Sequence, residues 1–215
     1  MQKAIELSKI RPDLSFLYQH ENTANLWIHE YTTGEEIYKD LVKKYGFYSP
    51  TTTVHWVASI GTGGTLIGCY KALKKFFKNV CVYAVTPKES PYATKEPPNG
   101  LPKFAGSGGL GYGIRQTFVQ PYGSSVTHLV FSYEETLRAI AKFYQQTGIK
   151  IGSSAAANWL ASCEIQTMLR QNQTDEFEHV IVAAFPSGPI GDEWGVAEKY
   201  MSKLTEPQVV CKPSL

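Results

Sequence analysis

Residues 54–68 read VHWVASIGTGGTLIG, and this stretch decides the fold class that we predict. A run of strand-forming residues ends at Ile60, and the chain then crosses a glycine-rich loop before helical spacing begins at about residue 64. A buried strand that passes through such a loop into a helix is the first half of a βαβ unit. The stretch therefore predicts an α/β protein whose loop lies at the carboxyl end of a strand.

The glycine-rich loop has the composition of an anion site. It comprises Gly61, Thr62, Gly63, Gly64 and Thr65. Its glycines let the backbone curl tightly, so that N–H groups and the following helix N-terminus point at one place, and threonine hydroxyls can add donors. It is not a Walker loop, because no GK[ST] follows, and Leu66 stands where a dinucleotide fingerprint needs its third glycine. The chemistry predicts a phosphate, although a glycine-rich turn without a ligand has the same residues.

The rest of the chain alternates between strand-like and helix-like patterns. Strands are predicted at 80–85, 127–131 and 179–185, and helices at 1–10, 35–45, 64–78, 133–146, from just after 154 to about 169, and near 192–203. Strands separated by helices of this length imply right-handed crossovers. We therefore predict an α/β fold with three layers and a mostly parallel central sheet. One domain is assigned to residues 1–206 and a flexible tail to residues 207–215.

The composition excludes several kinds of partner. The 215 residues include 21 basic and 19 acidic side chains, so a net charge of +2 gives no field suited to nucleic acid or to an anionic membrane. No stretch approaches the ~18 apolar residues of a membrane span. The four cysteines form no CxxC pair and no Cys/His ligand spacing, so we predict no metal site and no disulfide framework, with free thiols in the cytoplasm. We interpret each histidine as structural rather than catalytic: His20, His29, His55, His128 and His179.

Two further loops carry small and hydroxyl residues. Residues 150–158 read KIGSSAAAN, which is typical of a helix start followed by tight packing. Residues 182–188 read VAAFPSG, so a hydrophobic strand delivers Ser187 to the edge of the sheet where ligands bind in parallel folds. Ser187 is either a turn residue or a partner for a heteroaromatic nitrogen. Gly106–Gly111 fits GxGxxG, but it follows no strand pattern and lies among prolines, so we predict no dinucleotide site there.

Together and in this order, these motifs resemble those of the fold type II (β-family) pyridoxal-phosphate enzymes, most of all the cysteine synthase and cystathionine β-synthase group. The GTGGT phosphate loop of that group is similar to residues 61–65. Its GISSGA signature is similar to residues 152–155, and its strand-PS-G turn to residues 186–188. Residues 21–37, ENTANLWIHEYTTGEEI, resemble the group's ENPAN…H…TTGPEI stretch. The resemblance covers about residues 1–200.

This resemblance implies a cofactor, a substrate class and a set of site residues. The cofactor is pyridoxal 5'-phosphate, and the reaction is β-replacement or β-elimination on a small amino acid. The residues that match the cofactor-binding motifs are Gly61, Thr62, Gly63, Gly64, Thr65 and Ser187, the last facing the pyridine nitrogen. Gly152 and Ser153 match the second signature and are assigned to the substrate. The domain over residues 1–206 is thus expected to bind the cofactor phosphate.

The sequence departs from the family pattern at the catalytic lysine, at the substrate loop and at two further segments. In the family this Schiff-base lysine lies in an S-x-K-x-R-like segment, and a TSGNTG loop binds the substrate carboxylate. Both lie upstream of the part that this chain resembles, and neither pattern occurs in the 215 residues. We therefore nominate no catalytic residue and expect no covalent attachment of the cofactor within this chain. The family's GIG segment is replaced by the run Gly106–Gly113, and Ala156 and Asn158 alter the serine-rich signature.

Four interpretations remain open at this stage. The first is half of a split or truncated enzyme, working as a homodimer or as a heteromer with a lysine-bearing N-terminal half. The second is an inactive paralogue that binds a ligand or a partner without catalysis. The third is a piece of a longer protein. The fourth, a Rossmann-like nucleotide-binding domain, lacks an acidic ribose contact in good register. A missing smaller domain would leave an exposed apolar face on the protein, which predicts a dimer or a heteromeric complex.

Overall fold

The structure is a computed structural model and describes residues 2–45, 52–93, 113–171 and 178–202. Its helices are α1 (Gln2–Ile10), α2 (Thr23–Ile28), α3 (Gly34–Tyr45), α4 (Gly64–Phe76), α5 (Tyr133–Thr147), α6 (Ser153–Gln171) and α7 (Glu193–Met201). Its strands are β1 (Thr53–Ser59), β2 (Asn79–Pro87), β3 (Val126–Phe131) and β4 (His179–Ala183). A π-turn (His29–Thr33) joins α2 to α3, and a 3-10 turn (Gln120–Ser125) precedes β3.

The four strands form one parallel sheet in the order β3-β2-β1-β4. Thr53 pairs with Asn79 of β2 on one side and with His179 of β4 on the other, so β1 lies in the interior of the sheet. The parallel arrangement confirms the predicted fold class. β4 ends at Ala183, two residues earlier than predicted, because Phe185 turns away to pack on Phe143 of α5.

Alternate residues of β1 face two helical layers, which confirms the three-layer prediction. Val54, Trp56 and Ala58 are buried in the core that α4 covers. Val57 faces the opposite way and packs with the alanines of α6. The indole N–H of Trp56 donates to the carbonyl oxygen of Leu66 at 2.9 Å, which ties the central strand to the helix after the glycine loop. A third core cluster joins α5, α6 and α7.

The π-turn, which the sequence did not predict, brings two polar side chains against α4. The carboxylate of Glu30 is buried and pairs with the ammonium groups of Lys71 at 2.5 Å and Lys75 at 2.7 Å. Burial alone would raise the pKa of this carboxyl, but the two lysines outweigh burial and lower it. Lys71 and Lys75 of α4 therefore anchor the π-turn.

The amino-terminal segment stands outside the three cores. No side chain described between Ile5 and Gln19 is buried, and Ile10 and Leu17 are 72% and 77% exposed. Further exposed apolar side chains follow at Trp27 and Ile28 of α2. Several exposed apolar side chains in one part of the chain are a feature of interaction faces. Within the described part of the chain, no helix combines the length and the apolar character needed to cross a membrane.

Some predictions fall on residues that the structure does not describe. They are the glycine run at 106–111 and the tail at 207–215. The assignment of one domain to residues 1–206 stays a prediction.

The thiols of Cys69, Cys81 and Cys163 are not in disulfides. The described residues contain no group of three side chains suited to a metal ion.

At the amino edge of the sheet, three side chains from adjacent strands form a hydrogen-bonded row. His55 Nδ1 lies 3.1 Å from the hydroxyl of Tyr83, and His55 Nε2 lies 3.0 Å from Nδ1 of His179. His55 is buried on the central strand. Burial, together with the nearby His179, lowers the pKa of His55 to about 4. A neutral His55 is therefore the form that the folded protein stabilises.

We expect the row at His55 to make the protein sensitive to acid. Because the folded pKa lies below the ordinary value of 6.5, its contribution to stability is complete above pH 6.5 and is lost as the pH falls towards about 4. The expected loss is about 2 kcal/mol of unfolding free energy. Urea titrations at pH 7.5 and pH 4.5 measure it. The variant His55→Leu should be less stable at neutral pH yet show a flatter pH profile, and equal profiles for variant and wild type would refute the assignment.

Candidate functional site

The candidate site lies at the carboxyl edge of the sheet, where the neighbouring strands β1 and β4 end. β1 runs into Ile60 and the glycine-rich loop, and β4 runs into residues 184–190. The backbone N–H of Ala184 donates to the carbonyl oxygen of Val57 at 3.0 Å, so the two exits start side by side. The amino end of α6 reaches the same edge, because Gly152 N–H donates to Ser187 O at 3.0 Å. Three of the predicted motifs therefore share one edge.

Gly63 fixes the shape of the glycine-rich loop. Its φ of 86° lies in the left-handed region that favours glycine, and it is the N-cap of α4 with no side-chain capping bond. A Cβ at this position would lie 2.5 Å from Val119 Cγ2. The loop is thus a tight cradle at the positive end of a 13-residue helix. Peptide N–H groups at such an end are suited to an anion.

Thr62 is oriented by a side chain from α2. The amide nitrogen of Asn25 donates to Thr62 Oγ1 at 2.9 Å and to the carbonyl oxygen of Gln19 at 2.8 Å. The N–H of Gly64 also donates to Thr62 Oγ1, at 3.2 Å. Because the hydroxyl oxygen accepts both bonds, its own proton remains for a ligand. A Cβ on Gly64 would lie 2.6 Å from Asn25 Oδ1, so glycine is needed for this close approach.

Thr65 is oriented by the π-turn. His29 Nε2 lies 3.0 Å from Thr65 Oγ1, and His29 Nδ1 lies 3.1 Å from Thr33 Oγ1. Burial lowers the pKa of His29, so the ring is neutral at neutral pH and one ring nitrogen donates while the other accepts. If Nε2 is the donor, the proton of Thr65 is directed away from the ring. The neighbouring thiol of Cys69 is buried, which raises its pKa to about 12 and makes it unreactive.

The second and third motifs are in direct contact. A Cβ on Gly152 would lie 2.5 Å from Gly188 O and 3.3 Å from Ser187 O, so the two backbones touch where a side chain has no room. Ser187 itself is exposed at the tip of its loop. Asn158 of α6 donates to the carbonyl oxygen of Ala184 at 2.7 Å, which holds the start of this loop. Ser187 is thereby placed on a rigid base with its side chain open to solvent.

Ser153 is engaged within the protein. It is 2% exposed, and its hydroxyl donates to Glu193 Oε1 at 2.7 Å. The N–H groups of Ser153 and Ile190 donate to the other carboxylate oxygen at 3.3 Å and 3.1 Å. The buried Glu193 thus caps α6 from the first turn of α7, where a negative charge is favourable. Direct contact between Ser153 and a substrate stays a prediction.

Sequence reasoning missed three residues that shape this edge. Asn25 and His29 lie in the stretch resembling ENPAN…H…TTGPEI, but Asn25 was given no role and His29 was interpreted only as structural. Glu193 lies outside every motif, and only its position at a helix start signalled a function. The interpretation of His29 as structural agrees with its place behind Thr65.

The residues present fit a phosphate ester at this edge. The donors are the cradle at Gly63, a helix N-terminus and two threonine hydroxyls held by Asn25 and His29. A profile of the family described as "Pyridoxal-phosphate dependent enzyme" matches residues 1–184. This chain belongs to the pyridoxal-phosphate dependent enzyme family. The family's cofactor carries the phosphate group for which the donor set is suited, and the resemblance to the cysteine synthase group is confirmed.

Relatives within the pyridoxal-phosphate family carry consistent names. Cysteine synthase of Staphylococcus aureus strain Mu50 is 31% identical over 185 residues, which cover 86% of this chain and 51% of the relative. The probable cysteine synthase of Bacillus subtilis strain 168 is 29% identical over 170 residues, covering 76% and 50%. The chain therefore spans about half the length of these relatives.

A solved structure shares the fold of this family member. O-acetylserine sulfhydrylase isoform 3 from Entamoeba histolytica superposes with a TM-score of 0.64 at 24% identity, covering 92% of this chain and 58% of that one. At this identity the likeness shows the fold alone. It agrees with the parallel sheet and the flanking helices described above.

Proposed function

We propose that this chain is the cofactor-phosphate half of a cysteine-synthase-like enzyme that performs β-replacement or β-elimination on a small amino acid. The single observation that carries the proposal is the donor set around Gly63, where both threonine hydroxyls are held from behind and the N-cap residue of α4 is a glycine with no side chain. Relatives named cysteine synthase support the reaction class. Gly61, Thr62, Gly63, Gly64 and Thr65 would bind the phosphate, and Ser187 the ring nitrogen.

The cofactor, when bound, supplies an electron sink for bonds at the substrate's α-carbon. The chain's own residues supply binding and orientation. The helix N-terminus of α4 and the hydroxyls of Thr62 and Thr65 neutralise and fix the phosphate. A serine at 187 is a neutral hydrogen-bond partner, so it leaves the ring nitrogen unprotonated, which suits β-replacement. Gly152 brings its backbone against Ser187, because a side chain there would collide with Gly188. Gly152 and Ser153 would lie on the substrate side of the cofactor.

We further propose that another polypeptide segment supplies the catalytic lysine. The chain spans about half of its relatives' length, and neither the lysine motif nor the TSGNTG loop occurs in it. The exposed apolar side chains from Ile10 to Ile28 give such a segment a surface to cover. The segment would come from a lysine-bearing N-terminal half in a heteromer, or from a second copy in a homodimer. Free thiols at Cys69, Cys81 and Cys163 suit a cytoplasmic location.

An inactive paralogue that binds a ligand or partner is the second candidate. The observation that favours it is that the family's lysine-bearing motif does not occur in these 215 residues, since a chain that binds the cofactor without this lysine has no group to complete turnover. The two candidates predict the same phosphate site. They differ in whether a lysine-bearing partner restores activity.

The test is to add pyridoxal phosphate to the purified chain, measure binding by fluorescence, reduce with borohydride and search every lysine by mass spectrometry. We expect saturable binding without a stoichiometric lysine adduct, and no turnover of O-acetylserine by the chain alone. An adduct on one lysine would overturn the proposal that another segment supplies it. If neither binding nor an adduct is found, the proposed cofactor site is wrong.

We expect His29 to act on phosphate affinity through Thr65. His29→Ala should weaken pyridoxal phosphate binding about fivefold, because the hydroxyl of Thr65 loses its fixed orientation. Thr65→Val should weaken it by about tenfold. The double variant should be no weaker than Thr65→Val alone, since both changes remove one interaction. His29→Gln, which can still bond to Thr65, should recover part of the affinity. Additive losses would contradict this role.

A further inference from the structure

Gln116 lies beside the glycine-rich loop at residues 61–65, and no sequence motif identified it. Residues 113–119 cross over the glycine-rich loop, so that a Cβ on Gly63 would lie 3.8 Å from Gln116 Cβ as well as against Val119. Gln116 is 2% exposed. Its side chain therefore starts beside the turn that caps α4 and lies inside the protein.

The oxygen of the Gln116 side-chain amide has a hydrogen-bond partner, whereas its nitrogen has none among the described residues. The amide oxygen lies 3.0 Å from Nδ1 of His20, and the backbone N–H donates to the hydroxyl of Tyr92 at 3.2 Å. With His20 Nδ1 as the donor, the amide nitrogen carries two hydrogens for other acceptors. Among the described residues this nitrogen is buried without a hydrogen-bond partner. Buried donors of this kind are rare in native proteins, and each calls for an explanation.

The position of the amide indicates its missing acceptor. His20 follows Gln19 in the chain. The carbonyl oxygen of Gln19 accepts a hydrogen bond from the side-chain amide of Asn25, and this amide also orients Thr62. The amide oxygen of Gln116 is thus held by His20, next to the Gln19–Asn25 contact on one side of the glycine-rich loop. The Cβ of Gln116 lies beside Gly63, on the other side of that loop. An anionic oxygen at the N-terminus of α4 is an acceptor within side-chain reach of both.

We propose that Gln116 is a further phosphate-binding residue of this site, with its amide N–H₂ donating to a phosphate oxygen that the α4 N-terminus also binds. This rests on the proposed function, because the phosphate is that of the cofactor. Because no described residue pairs with this donor, the ligand would supply the hydrogen bond that it lacks. His20 is the positioning residue that turns the amide nitrogen towards the cradle.

The test uses the full chain and two glutamine variants, with inorganic phosphate and pyridoxal phosphate as probes in calorimetric titrations. Gln116→Met keeps the length of the side chain and removes the donor, while Gln120→Met makes the same change at an exposed position one turn away. We expect Gln116→Met to lose about tenfold in affinity for both probes, with Gln120→Met unchanged. Gln116→Met also removes the amide oxygen that lies 3.0 Å from His20 Nδ1. The ligand-free melting temperature should nevertheless stay close to that of wild type, because the variant removes the unpaired amide nitrogen at the same time.

Three outcomes would overturn this role. The first is equal affinity in Gln116→Met and wild type, which would leave the proposed function intact and remove Gln116 from the site. The second is a loss of affinity accompanied by a matching fall in the ligand-free melting temperature, which would make Gln116 structural. The third is a wild-type chain that binds neither probe, which would refute the cofactor site together with this residue's part in it.

Discussion

Replacing Gly63 by alanine should nearly abolish binding of phosphate and of pyridoxal phosphate. The residue sits at φ 86°, where a residue with a Cβ costs about 1–2 kcal/mol more than glycine. The added methyl would also lie 2.5 Å from Val119 Cγ2, and relief of such overpacking costs about 1–3 kcal/mol. The cheapest adjustment opens the turn and withdraws the N–H groups from the cradle. We expect a loss of at least about 100-fold in affinity, measured by titration with each ligand.

Two other glycines separate the causes of that loss. Gly148 has φ 73° with nothing within 4 Å of an added Cβ, so Gly148→Ala tests backbone strain without a collision. Gly123 has open space and no positive φ, so Gly123→Ala should change neither stability nor affinity. Gly148→Ala should lower stability by about 1 kcal/mol and leave phosphate affinity unchanged. Wild-type affinity in Gly63→Ala would show that the loop at residues 61–65 does not hold the ligand.

Gly152→Ala should destabilise the whole protein and separate the two loops near Ser187. Its Cβ would meet backbone atoms of Gly188, at 2.5 Å from the oxygen and 3.1 Å from the carbon, and backbone cannot rotate aside as a side chain can. Moving the loops apart breaks the 3.0 Å bond from Gly152 N–H to Ser187 O. We expect a loss of about 2–4 kcal/mol in unfolding free energy, measured by the urea midpoint.

The matched control lies on the opposite side of the same contact. Gly188→Ala would place a Cβ no closer than 3.9 Å to Lys150 O, which is ordinary contact, so its stability should stay within about 0.5 kcal/mol of wild type. A urea midpoint for Gly152→Ala as high as that of Gly188→Ala would mean that the loops 150–154 and 184–190 are not packed as described.

The fold class could be predicted from local patterns in the sequence. The strand at 53–59, the glycine loop and the helix from Gly64 have signals at periods of two and 3.6 residues, with glycine between them. The helix predicted at 133–146 is observed at Tyr133–Thr147, and the structure shows a Ser132–Glu135 capping box at its start and a left-handed Gly148 at its end. Parallel pairing followed from the lengths of the connections.

Features that depend on contacts distant in sequence could not be predicted. The strand order β3-β2-β1-β4 rests on pairing between residues more than 100 positions apart. α2 is only six residues long, and the π-turn after it is held by Glu30 bonding to lysines on another helix. Ser153 was assigned to a substrate because it matched a motif, whereas its hydroxyl is bonded to Glu193, 40 residues further on.

The position of β4 has a consequence for how a cell makes this protein. β1, at residues 53–59, is synthesised more than 100 residues before β4, its second neighbour in the sheet, at residues 179–183. Until then β1 has one open edge, and open edges of apolar strands are sites of aggregation. Translation must also pass residue 188 before Gly152 has its contact. A nascent chain therefore completes the edge that carries the candidate site only after residue 188 has been made, and shorter products lack it.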